Sequence, residues 1–144
     1  MTALKLREAR SREELRLVAL LQLATEESLF SGRDLGLYLE EDRYRFYAYS
    51  RDSALWEPVG SDASFRERRL PEGLVLSLRV EDQDVDLITA QSETDIQPQV
   101  AIFGSGELTP FELVIEREYS DIRFLIRGQA DGTLQLIDES RSAI

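Results

Sequence analysis

The chain has 144 residues, with 28 Asp and Glu against 17 Lys and Arg, a formal net charge of −11, and neither Cys nor His. That length suits one domain with a real core, and the acidic balance argues against nucleic acid or an anionic membrane surface as a partner. The missing Cys and His exclude disulfides, thiol nucleophiles, thiolate metal sites and the commonest general base, so any catalysis would fall to carboxylates, Lys, Tyr, Ser or Thr.

Residues 3–30, ALKLREARSREELRLVALLQLATEESLF, hold no Gly or Pro and are rich in Leu, Ala, Glu and Arg. Such residues lose little rotamer freedom in a helix, and Gly32 stands where a helix would stop. From Lys5 to Arg16 charges of both signs alternate, which predicts a solvated stretch. From Leu17 to Ala24 the helix is apolar in every direction except Gln22. A helix packed on one side shows an apolar stripe, not a girdle. This segment is therefore either centrally buried or covered twice, once by its own domain and once by a partner. Leu17, Leu20, Leu21 and Ala24 are the candidate partner-interface residues. No apolar run approaches the roughly 20 residues of a bilayer span, and no signal peptide is read, so the chain is expected to be a soluble piece.

After Gly32 the period changes to two. Residues 35–39 and 43–50 read as strands around the acidic turn Glu40-Glu41-Asp42, and 54–59 as a third strand ended by Pro58. Residues 74–81 put Leu74, Leu76, Leu78 and Val80 on one face, as a half-buried antiparallel strand requires. Strands at 111–118, 122–128 and 133–138 follow, with Asp131-Gly132 as a hairpin signal between the last two. Residues 60–70 and 82–97 are polar loops. The expected fold class is α+β: a helix over residues 1–31 packed on antiparallel sheet over 32–144, within one domain.

The stretch IFGSGELTPFELVIERE (102–118) brackets a serine with two glycines. A phosphate loop needs such glycines to open a helix whose amides hold the anion. Here Thr109-Pro110 and a strand follow, and no Gly-Lys-Ser/Thr exists, so Gly104-Ser105-Gly106 is read as a connection between strands.

Three further constellations have the residue types of a ligand site. Asp82, Asp84, Asp86 and Glu93 fall at positions one, three, five and twelve of a calcium loop, but Leu87 stands where its glycine belongs. A solvated acidic loop is the alternative. The arginines of FRERRLPEG (65–73) suit an anion site or a surface loop with local ion pairs. Trp56, with Tyr44, Phe46, Tyr47 and Tyr49, suits a sugar platform or a core.

EDRYRFYAYSRDSALWEPV, RRLPEGLVLSL and PQVAIFGSGELTPFELVI resemble the H-type minor pseudopilins of bacterial type II secretion, a family that overlaps with FimT-like type IV minor pilins. The resemblance runs from about residue 12 to about residue 138 and rests on Leu70, Pro71, Glu72 and Gly73 and on Pro98 and Gln99 leading into Ser105, Gly106, Glu107, Leu108, Thr109, Pro110 and Phe111. It implies a pilin-like fold and a non-enzymatic subunit near the tip of a periplasmic pseudopilus that helps export folded proteins. Its partners would be other minor pseudopilins and the major pseudopilin, with no cofactor. It also implies an inner-membrane anchor in a Gram-negative bacterium, formed by an apolar helix preceding the residues seen here. The charged helix after Met1 departs from that pattern, which fits a soluble domain without its anchor, monomeric by itself. A type IV minor pilin and a small β-rich module binding calcium or carbohydrate are the alternatives.

Overall fold

The computed structural model describes the backbone of residues 2–60 and 62–140, and side chains from Glu13 onward. Helix α1 spans Thr2–Ser31. It closes where the Gly32 amide donates to the Ser28 carbonyl at 2.9 Å. The charged stretch expected from Lys5 lies mostly outside the described side chains. Within it, Glu14 is turned inward at 1% exposure rather than solvated.

Two antiparallel five-stranded sheets follow. In the first, β1 (Leu35–Glu40) and β2 (Arg43–Ser50) form a hairpin around a two-residue turn at Glu41 and Asp42. Both β3 (Leu55–Pro58) and β4 (Arg68–Arg69) pair with β2, and β7 (Val100–Ile102) pairs with the other side of β1. A 3₁₀ turn at Ala63–Phe65 drops Phe65 into the core. The second sheet runs β10-β9-β8-β5-β6, from β5 (Leu74–Val80), β6 (Gln83–Val85), β8 (Phe111–Arg117), β9 (Arg123–Gly128) and β10 (Leu134–Asp138).

One core joins the helix and the inward faces of both sheets. Leu17, Leu21 and Ala24 of α1 meet Leu35, Leu37, Leu39 and Phe46 of the first sheet and Leu76, Leu78, Leu113, Ile115 and Ile126 of the second. The period-two reading of residues 74–80 holds, with Leu74, Leu76 and Leu78 buried and Ser77 and Arg79 exposed.

The predicted loop at 82–97 is corrected in two ways. It begins as a hairpin, with Glu81 and Asp82 both at positive φ (50° and 67°) in the turn from β5 into β6. Its remainder lies over the outer face of the first sheet, where Ile96 packs with Tyr38 and Tyr47 in a second apolar cluster edged by Trp56. The chain changes sheets at three places: residues 70–73, 86–99 and 103–110. Two of the three sequence stretches that carry the resemblance sit at these crossings, and the first, residues 41–59, forms β2 and β3 of the first sheet.

Candidate assembly surface

Successive helix residues are turned by about 100°, so neighbours three and four apart share a face. Leu17 (0%), Leu20 (7%), Leu21 (0%) and Ala24 (0%) form the inward face. Ser28 continues it, buried, its hydroxyl on the carbonyls of Ile102 (3.0 Å) and Arg33. The four residues expected to meet a partner are therefore core of their own domain, because the sheets occupy that side of the helix. The surface left for a neighbour is the opposite face.

That face carries Leu15 (57% exposed), Ala19, Leu23 (37%) and Phe30 (91%), interleaved with exposed Gln22 and Glu26. An ion pair of Arg16 with Glu13 at 3.1 Å borders it. The girdle is thus two half-girdles, one filled by the domain and one open. Fully burying each large side chain is worth about 1.5–3 kcal/mol, so the open half can drive association. Near its C-terminal end Leu29, also exposed, packs toward the crossing turn, 3.1 Å from where a β-carbon on Gly106 would sit.

The crossing turns are built from backbone contacts. Leu70 donates its amide to the Asp42 carbonyl, Leu74 donates to Pro71, and Glu118 donates to Gly73. At the third crossing the Gly106 amide donates to Phe103 and the Phe103 amide to Glu107, while the Gly104 amide donates to the Asp34 carboxylate at 2.9 Å. Thr109 reciprocates with Ala101, amide to carbonyl at 2.9 Å, and its hydroxyl accepts the Ala101 amide. Ser105 and Glu107 are exposed, whereas Phe111 is buried at the start of β8. The amides of Gly104 and Gly106 thus both point into the protein's own polar groups.

The calcium candidates are not brought together: among the described residues no group of three or more acidic side chains could hold a metal ion. Asp82 sits in the tight turn, Asp84 pairs with Arg79 at 3.3 Å, and Glu93 lies on the far loop. The Asp86 carboxylate accepts the amides of Ile88 and Thr89, and the Ile88 amide foremost holds it below the usual carboxylate range.

The arginine run is likewise spent locally, with Arg66 and Arg68 donating to the carbonyls of Ala63 and Ser64. The aromatic row is divided by strand alternation. Tyr44 and Phe46 face the helix, while Tyr47, Tyr49 and Trp56 lie on the outer face.

The model of the family "Type II transport protein GspH" matches residues 15–140. The chain belongs to the GspH family.

Type II secretion system protein H of Aeromonas hydrophila is 30% identical over 132 residues, spanning 86% of this chain and 72% of that protein. The Pseudomonas aeruginosa protein of the same name is 38% identical over 104 residues, spanning 68% of this chain and 58% of that one. Among solved structures, the minor pseudopilin EpsH of Vibrio cholerae superposes with a TM-score of 0.70 at 26% identity, covering 92% of this chain and 98% of its own. GspH of E. coli shares the fold, with a TM-score of 0.68 at 22% identity. The expected resemblance and the pilin-like α+β fold are both borne out. A GspH domain is a structural subunit of the type II pseudopilus, which is the class of role expected from the sequence.

Proposed function

We propose that this GspH domain docks onto other minor pseudopilins and the major pseudopilin through the outward face of α1, near the tip of a periplasmic filament. Its work is mechanical, without turnover of a substrate, and it assists the export of folded proteins. The full-length protein is held at the inner membrane by an apolar helix upstream of the residues described here; among these, no helix is long and apolar enough to cross a membrane. The observation that supports this reading is the exposed row of Leu15, Ala19, Leu23 and Phe30 on a helix whose other face is already full.

A complementation experiment tests it. In cells lacking the native gene, the full-length protein should restore export, and the double variant Leu23→Arg/Phe30→Glu should fail to do so at unchanged protein level. Normal export by the double variant would refute the proposed docking face.

A further inference from the structure

The outer face of the first sheet, on the side away from α1, holds an open groove of about 540 Å³. Tyr38 and Tyr47 lie at its base, with Trp56 and Pro58 on one rim and Ala90, Gln91 and Ile96 of the 86–99 loop on the other. The two tyrosine rings meet edge-on at 6.1 Å, and the Tyr38 hydroxyl accepts the Gln91 amide at 3.0 Å. Both rings are nearly sealed, at 6% and 9% exposure. Neither of these two rings keeps an open face as a plate for a sugar.

What the groove does present is Arg45. Its guanidinium lies over the Tyr47 ring, 5.9 Å from the centroid, which fixes the planar fork in place. Its Nε is buried and has no hydrogen-bond partner among the described residues. The neighbouring Arg43 is engaged by Asp42 at 3.2 Å, Glu40 at 3.5 Å and Glu67 at 3.8 Å. No carboxylate among the described residues lies within ion-pair distance of Arg45, although three line the groove: Glu40 and Glu67, both engaged by Arg43, and Glu93. An arginine held over an aromatic face with its Nε sealed offers its two terminal nitrogens to the groove, which suits capture of a single carboxylate. The apolar rim beside it suits an adjoining apolar side chain.

We propose that this groove docks an acidic peptide segment of a partner protein, one carboxylate seated on Arg45 and a neighbouring apolar side chain against Trp56, Pro58 and Ile96. Glu93 faces the bound segment and disfavours any second carboxylate there. The surface is separate from the α1 face, since the first sheet lies between them, and the inference stands whether or not the helix docks as proposed.

The test uses this chain and a capped heptapeptide of leucine and serine with one central glutamate, with the glutamine counterpart as control. Trp56, the chain's sole tryptophan, reports on the groove. The glutamate peptide should change its emission saturably, and the glutamine peptide should bind at least tenfold more weakly. Arg45→Gln should lose at least tenfold with an unchanged melting temperature, Arg45→Lys should keep part of the affinity, and Glu93→Gln should bind more tightly than the parent. Affinity should also fall with added salt. Equal binding of the two peptides, full binding by Arg45→Gln, or no binding of the glutamate peptide would overturn the proposal.

Discussion

The carbonyl oxygen of Gly106 lies 2.4 Å from where a β-carbon on Gly132 would sit. The crossing turn between the sheets is thereby wedged against the β9–β10 hairpin on one side and Leu29 of α1 on the other. Both glycines have positive φ, 94° and 92°. Gly106→Val and Gly132→Ala should each cost about 1–3 kcal/mol from backbone strain alone, with the crowding added. Ser105→Ala, exposed next to Gly106, should stay within about 0.5 kcal/mol of the parent. Thermal melts of the three variants check this.

Tyr44 gives a prediction about alkaline pH. The residue is 1% exposed and its hydroxyl has no hydrogen-bond partner among the described residues. Burial foremost, with the Glu13 carboxylate adding to it, pushes the hydroxyl from 10.0 up to about 12. Because the folded value is the raised one, the contribution is intact below pH 10 and is lost as pH rises from 10 to about 12. The loss amounts to about 2–3 kcal/mol. Tyr44→Phe should flatten that decline in denaturant titrations at several pH values. At neutral pH it should also raise stability by about 1 kcal/mol, since it removes a buried hydroxyl without a partner.

The acidic run in the 82–93 region supplies a metal prediction. Its carboxylates are committed elsewhere: Asp84 to Arg79, and Asp86 to the Ile88 and Thr89 amides. Calorimetric titration with calcium should give no heat above dilution, and Asp84→Asn should leave the trace unchanged. A saturable calcium signal abolished by Asp84→Asn would show that the loop rearranges into a site.

How much was legible beforehand follows from what covers each element. Helix α1 was predicted over 3–30 and spans Thr2–Ser31, because uninterrupted helix formers need no tertiary information. Strand β5 was legible because one side of it is solvated, so its alternation is clean. The packing face of α1 was not legible. LVALLQLA is apolar all round, and only the placement of the sheets decides that Leu21 is inside and Leu23 outside. Strand β2 hid its faces for a similar reason: the core covers Phe46, and the 86–99 loop brings Ile96 over Tyr47. That loop reads as polar, and nothing local marks Ile96 as packing on a sheet or Arg45 in the same groove as lacking an anion. The family stretches were legible as a resemblance, while the physical reason for the two around residues 70–73 and 103–110, the passage of the chain from one sheet to the other, required the topology.

The two faces of α1 do different work, one filling the core and one left for a neighbour, and binding to a sister pseudopilin tests this most directly. The variants to compare are Leu21→Arg and Leu23→Arg, followed by melting temperature and by titration with the soluble domains of the other minor pseudopilins. A charge buried at Leu21, which is 0% exposed, should unfold the domain. Leu23→Arg should melt within a few degrees of the parent and lose binding at least tenfold. A folded Leu23→Arg domain that binds its partners as the parent does would contradict the account.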